Sequence, residues 1–92
     1  MILYFLDDQN VCRGTVTVEN GQCIGTGNSG ESACQYMANL LDRTTGKTVT
    51  PADGDRWLEL LQSKINSVYM RLVDESYMDE QGISKEVKEV MP

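Results

Sequence analysis

The chain has 92 residues, with 14 acidic and 8 basic side chains, no histidine, and a net charge of −6 at pH 7. Its length supports a single domain, and its 40% hydrophobic content is typical of a globular protein. The negative charge argues against direct binding of nucleic acid, which needs a basic surface. No apolar run reaches the ~20 residues of a membrane span.

The first segment, MILYFL, is apolar but too short for the core of a signal peptide, and two aspartates follow it at once. We therefore expect a cytoplasmic location. Within this segment, Ile2–Leu6 has the branched and aromatic residues of a strand, and the polar DDQN run after it predicts a turn.

A β-hairpin is predicted next, with residues 11–19 and Gln22–Thr26 as its strands. Asn20-Gly21 between them is a strong signal for a type I′ turn, in which both central residues have positive φ. A two-residue turn at this point places Glu19 opposite Gln22.

Gly25, Gly27 and Gly30 have the spacing of a dinucleotide-binding turn. Such a turn follows a buried parallel strand and leads through a helix to a second parallel strand, whereas these glycines follow an antiparallel hairpin. Asn28 is a good helix N-cap, and Glu31 follows it as in a capping box. We therefore interpret the glycines as a close-packed strand-to-helix corner and predict no phosphate binding.

Two amphipathic helices are predicted after this corner. The first covers residues 31–43, and its apolar face consists of Ala33, Met37, Leu40 and Leu41. The second begins at the Thr-Pro-Ala-Asp sequence of residues 50–53, which supplies an N-cap and a proline at the first helical position. Its apolar stripe consists of Trp57, Leu58 and Leu61.

After Gln62 two alternatives remain open. The apolar residues keep a helical rhythm, which allows one long helix as far as Val73. Asn66-Ser67 is a weak break, however, and the residues after it favour a strand. We favour the break and a fourth strand, because that strand would also protect an edge of the sheet.

The C-terminal part is predicted to be an acidic loop followed by a helical tail. The tail has Ile83, Val87, Val90 and Met91 at helical spacing. Because a helix this short is marginal on its own in water, we expect it to dock outside the core of its own domain, most simply on a second copy.

The complete prediction is an α+β fold. A three-stranded antiparallel meander is followed by two helices and a fourth strand, within a single domain of residues 1–81. Residues 82–92 form the amphipathic C-terminal tail.

The three cysteines, Cys12, Cys23 and Cys34, are equally spaced along the chain. Without histidine or a CxxC pair they match no zinc site. The hairpin register separates Cys12 from Cys23 by roughly 20 Å at ~3.3 Å per residue, far beyond the ~7 Å limit for a disulfide. We predict three free thiols in a reducing compartment, and any disulfide would have to include Cys34.

The sequence lacks the groups of a catalytic site. With no histidine, the usual base near neutral pH is missing, and Ser-His-Asp and Cys-His sites are excluded. Paired acids occur only at predicted turns, helix starts and loops, where acids are common for local reasons. We therefore predict that the protein is not an enzyme and that it uses no metal or cofactor.

A binding role follows by elimination. Tryptophan, tyrosine and arginine dominate the energetics of interfaces, and acids attract a basic partner. The candidate binding residues are Trp57, Tyr69, Arg71, Asp74, Glu75, Asp79 and Glu80. For Trp57 a place in the core is the favoured interpretation, because it lies beside Leu58 and Leu61.

The stretches GKTVTPADGDRWLELL and SVYMRL, within residues 46–72, resemble a pattern in small uncharacterised proteins of bacteria, phages and mobile elements. In that pattern a Thr-Pro-x-Asp-Gly helix start with Trp-Leu precedes a Tyr-x-Arg strand. The resemblance implies a fold element and no chemistry. In size and acidity the chain also resembles phage-encoded inhibitors of host defence, such as anti-CRISPR proteins.

Two functions are therefore expected as alternatives. The first is a small acidic inhibitor or adaptor, of the anti-defence type, that contacts a protein partner which is itself basic or binds nucleic acid. The second is a self-associating structural or small-ligand-binding protein, a weak homodimer with the sheet edge or the tail as its interface. Neither function involves a membrane.

Overall fold

The computed structural model describes residues 1–44, 54–65 and 71–88, with side chains for all of these except 37–44 and 65. The described elements are β1 (Ile2–Leu6), β2 (Cys12–Glu19), β3 (Gln22–Thr26), α1 (Gly27–Thr44), α2 (Gly54–Ile65), β4 (Arg71–Asp74) and α3 (Glu75–Gln81). An antiparallel sheet with helices outside it confirms the predicted α+β class. No helix in the described ranges combines the length and apolarity that a membrane span requires.

The described strands form one sheet in the order β3-β2-β1-β4, and every neighbouring pair is antiparallel. The predicted hairpin is confirmed, since Glu19 pairs with Gln22. Asn20 and Gly21 have φ values of 52° and 78°, the positive values that a type I′ turn needs. The local turn chemistry thus fixes the register of β2 and β3.

The fourth strand is also confirmed, because β4 pairs with β1 along its whole length. Of the two alternatives after Gln62, the break followed by a strand is correct for the described residues, and α2 ends at Ile65. The predicted break at Asn66-Ser67 and the predicted helix start at residues 50–53 lie outside the described residues.

The core lies on both faces of the sheet, because β1 is apolar at every position and lies between two other strands. Leu3 and Phe5 point to one face, which α1 and α2 cover. We call the cluster on this face the first core; its buried members are Leu3, Phe5, Val16, Ala33, Leu58, Leu61 and Leu72. The second core, on the opposite face, has Tyr4, Leu6, Cys12 and Met78 as its buried members.

The glycine corner is as closely packed as predicted. A Cβ atom built on Gly25 would lie 2.2 Å from the carbonyl oxygen of Gly30, and one built on Gly30 would lie 2.3 Å from that of Thr15. The helix begins earlier than predicted, at Gly27, whose positive φ of 68° suits glycine. Asn28 therefore lies inside α1 and is not its N-cap.

The prediction of a loop for the acidic segment is wrong, because Glu75–Gln81 forms the helix α3. Asp74 is the N-cap, and its carboxylate accepts a hydrogen bond of 2.9 Å from the backbone N–H of Tyr77. Gly82 ends the helix in the left-handed conformation, with φ 64°. The fully buried Met78 anchors the helix to the second core, a contact that its acidic composition concealed.

The prediction of a helical tail is also wrong for the described residues, because residues 83–88 form no helix. Ile83 and Val87 are half-buried and pack against the second core of their own domain. The backbone N–H of Lys88 donates to the carbonyl oxygen of Cys12 at 2.8 Å. Residues four apart share a face in a strand-like segment as well as in a helix, which explains the error. Val90 and Met91 lie outside the described residues.

Candidate functional site

The candidate binding residues are divided between two places. Trp57, on α2, is half-buried and packs against the first core, as its favoured interpretation predicted. Arg71, Asp74, Glu75, Asp79 and Glu80 are all exposed and lie together on β4 and α3. Tyr69 lies outside the described residues.

We call the second group the α3 surface, and include in it the neighbouring residues Asn10, Tyr77 and Lys85. Its orientation follows from α3 itself. Because Met78 points into the second core, Glu75, Asp79 and Glu80 are left on the exposed side of the helix. The cap at Asp74 and the glycine at position 82 limit the helix to these residues.

Lys85 makes salt bridges to two of the four acids. Its Nζ atom lies 2.8 Å from Oε1 of Glu75 and 2.7 Å from Oδ1 of Asp79. The hydrogen bond to Asp79 is the main reason that the pKa of Lys85 is raised above its ordinary value, and the bond to Glu75 adds to it. The α3 surface is therefore less negative than the sequence indicated. Glu80 takes no part in the salt bridges of Lys85.

Arg71 is held in a defined position at the other side of the α3 surface. Its Nη1 atom donates to the hydroxyl oxygen of Tyr77 at 3.0 Å, and its guanidinium carbon lies 5.8 Å from the centre of that ring. Its Nη2 atom donates to Oδ1 of Asn10, in the turn between β1 and β2. Arg71 thus presents an ordered positive charge beside the acids of α3.

Asn10, Tyr77 and Lys85 were missed as members of this surface. Each belongs to it through a contact with a residue distant in the sequence or on another element. Asn10, for example, meets Arg71 only because β4 pairs with β1. The positive φ of 58° at Asn10 suits the DDQN turn, but that local signal does not identify its partner.

Asp7 has a structural role in the same turn. Its carboxylate accepts hydrogen bonds from the backbone N–H groups of Gln9 and Val11 at 2.8 and 2.9 Å, and from Nε of Arg13 at 2.9 Å. The bond from Val11 is the main reason that the pKa of Asp7 is below its ordinary value. This confirms the expectation that the acid belongs to a turn for local reasons.

All three cysteines lie within the described residues and are free thiols, as predicted. Cys12 is buried in the second core, and its thiol donates to the carbonyl oxygen of Gly14 at 3.5 Å. Cys23 and Cys34 are half-buried against the first core. Burial raises the pKa of each thiol, so all three stay protonated at neutral pH.

The chemistry of the α3 surface is that of non-covalent contact. It offers carboxylates, one ordered guanidinium and a tyrosine ring on a capped helix, the groups by which one protein recognises another. Within residues 1–44, 54–65 and 71–88, no three Cys, Asp or Glu side chains are grouped so as to hold a metal ion. Comparison with known proteins found no matching family model, curated protein or solved structure.

Proposed function

We propose that this chain is a small acidic binding protein that acts on a protein partner through the α3 surface. The observation that carries the proposal is the placement of Arg71 and four exposed acids on one capped, core-anchored helix and the strand before it. A preorganised surface of this kind loses little conformational entropy on binding. Tyr77, half-buried beneath Arg71, adds an aromatic group of the type found in interfaces.

The partner is proposed to be basic, because the chain carries a net charge of −6 and Glu80 adds an exposed charge outside the Lys85 salt bridges. A protein that binds nucleic acid offers such a surface, and occupying it would inhibit that protein. The specific form of the proposal is therefore an inhibitor of the anti-defence type, encoded by a phage or mobile element. Its three free thiols support a reducing, cytoplasmic location.

The test is a pair of charge reversals that leave the fold intact. Glu80→Lys changes the α3 surface without touching the cap at Asp74 or the Lys85 salt bridges. Glu59→Lys makes the same change at an exposed position of α2 and serves as the control. Each variant is immobilised and used to capture partners from an extract of the cells that produce the protein.

We expect Glu80→Lys to weaken capture of a stoichiometric partner by about fivefold at low salt, and Glu59→Lys to leave it unchanged. Raising the salt concentration should weaken wild-type capture and reduce the difference between the proteins. Equal capture by both variants would show that the acids of α3 only keep the protein solvated.

Self-association is the second candidate, and one observation favours it. Among the described strands β3 lies at an edge of the sheet, and its Ile24 is 41% exposed. Thr17 pairs with both Ile24 and Ile2, so the two isoleucines lie on either side of Thr17 on the same face of the sheet. An exposed edge strand that carries an apolar side chain is a feature through which strands of two copies pair.

Sedimentation at several protein concentrations tests this second candidate. Ile24→Lys should abolish any dimer, whereas Leu60→Lys, at a position on α2 that is 39% exposed, should not. A wild-type protein that stays monomeric at every concentration would remove self-association from consideration.

A further inference from the structure

The close contact at the glycine corner sets the path of α1 along the hairpin. Gly25 of β3 and Gly30 of α1 touch through their backbones. From this contact, Cys23 lies two residues back along β3, about 6.6 Å away at ~3.3 Å per residue. Cys34 lies four residues further along α1, about 6 Å away at ~1.5 Å per residue. Because α1 follows β3 directly and packs against it, these similar distances place the two cysteines near each other.

The side chains complete this arrangement. Cys23 pairs with Val18, on the face of the hairpin that α1 covers, and Cys34 packs against the same first core. Each thiol also affects the pKa of the other, in agreement with this placement. Both residues are half-buried, so a small oxidant has access to them, whereas Cys12 is buried elsewhere in the second core.

We propose that Cys23 and Cys34 are a redox-active pair that forms a reversible disulfide between β3 and α1 when the protein meets a hydroperoxide. The proposal follows from the placement of Cys23 on β3 and Cys34 on α1 against the same first core, beside the close contact of Gly25 and Gly30. Oxidation then produces a covalent link across the first core and leaves the α3 surface, on the other face of the sheet, unchanged.

The reaction consumes one hydroperoxide molecule and two thiols. The Cys34 thiolate attacks the terminal oxygen of the hydroperoxide, the O–O bond breaks, and Cys34 becomes a sulfenic acid while an alcohol, or water from hydrogen peroxide, leaves. The sulfur of Cys23 then attacks the sulfenic sulfur, and the proton of Cys23 leaves with the hydroxide as water. Two sulfurs are oxidised by one electron each, and the peroxide accepts both electrons.

The order of the two steps follows from the opposite effects that the two thiols have on each other's pKa. Cys23 lowers the pKa of Cys34, whereas Cys34 raises the pKa of Cys23, so a thiolate forms more readily at Cys34. Burial raises both pKa values and is the larger effect. The first step therefore needs a higher pH than an exposed thiol would, and we expect its rate to increase as the pH rises from 7 to 9.

The test counts thiols before and after oxidation of the native full chain. The protein is treated with hydrogen peroxide, quenched with catalase, unfolded, and alkylated with N-ethylmaleimide. Intact mass should show alkylation of all three cysteines before treatment and of Cys12 alone afterwards. Dithiothreitol should restore the original count. Because the link closes a short loop, the oxidised monomer should also melt higher, by about 10 °C.

Serine variants separate the roles of the cysteines. Cys12→Ser should still form the disulfide. Cys23→Ser should accumulate a sulfenic acid at Cys34 that dimedone traps, whereas Cys34→Ser should give no dimedone adduct at Cys23. Alkylation of all three cysteines in oxidised wild-type protein, or a disulfide that involves Cys12 or a second chain, would overturn the proposal. A dimedone adduct at Cys23 would overturn the assigned order of attack.

Discussion

Asp7 organises the turn between β1 and β2 through its carboxylate. Its carboxylate joins two backbone N–H groups of the turn to the side chain of Arg13 on β2. The same Arg13 donates through Nη1 to the carbonyl oxygen of Lys88 at 2.9 Å. Arg13 therefore links the turn between β1 and β2 to the C-terminal segment.

The lowered pKa of Asp7 predicts a pH-dependent contribution to stability. Because the folded pKa lies below the ordinary value of 3.8, the contribution is complete above that value and is lost as the pH falls through the folded pKa. At pH 7, Asp7→Asn should lower the free energy of unfolding by about 1 kcal/mol, through loss of the charge-assisted bonds.

Urea titrations of wild type and Asp7→Asn between pH 7 and pH 2 measure this effect, and the difference should shrink as the pH falls below 3.8. Asp8→Asn, an exposed neighbour with the same change of charge, is the control and should have little effect. A difference of constant size at every pH would mean that the ionised carboxylate is not what stabilises the turn.

Gly25 allows close packing of α1 on β3, because it has no side chain at the point where the two backbones meet. Gly25→Ala would put a methyl group 2.2 Å from a backbone oxygen that cannot rotate away. We expect a loss of about 2–4 kcal/mol in the free energy of unfolding, measured by urea denaturation. Gly82→Ala meets no atom within 4 Å and should cost only about 1 kcal/mol, from its positive φ. Equal losses would contradict the close-packed corner.

The helix α3 depends on its cap, because only seven residues make it up. Asp74→Ala removes the acceptor for the N–H of Tyr77 and should destabilise the protein by about 1 kcal/mol. Hydrogen exchange at the amides of Tyr77 and Met78 should accelerate in this variant. Asp74→Ser keeps an acceptor and should restore slow exchange. If Asp74→Ala left exchange unchanged, packing of Met78 alone would hold α3.

The C-terminal segment completes the second core of the protein. Burial alternates along residues 83–88, with Ile83, Lys85 and Val87 half-buried and the residues between them exposed. One side of the segment thus lies on the second core, while Lys85 forms a salt bridge to Glu75 of α3. This extended segment covers apolar surface that the helices of the first core cannot reach.

Ending the chain at Gly82 should therefore lower the free energy of unfolding by about 2–3 kcal/mol and the melting temperature of dilute monomer by about 10 °C. Val87→Ser should produce part of this loss, whereas Glu86→Ser, at the exposed position beside it, should not. Differential scanning calorimetry at low protein concentration makes the comparison. An unchanged melting temperature would return the segment to the role of an independent interface.

Local signals in the sequence were enough for the first half of the fold. Asn20-Gly21 requires positive φ and so sets the hairpin and its register. The glycines at positions 25 and 30 indicated a close approach of strand and helix, and the apolar stripe of Leu58 and Leu61 indicated the buried face of α2. In each case the residues that determine the structure are neighbours in the chain, so their pattern is visible without the rest of the molecule.

The C-terminal half and the α3 surface were decided by tertiary contacts. Ile83 and Val87 are four residues apart, a spacing that fits either a helix or an extended segment. In the structure the segment is extended and both side chains pack against the second core. The acidic sequence of α3 predicts a loop, but burial of Met78 in the second core stabilises a helix there. Arg71 meets Asn10 across 61 positions of the chain, and only the pairing of β4 with β1 brings them together. Contacts between residues so far apart leave no periodic signal in a single sequence, which is why the fold class was predictable and the composition of its surface was not.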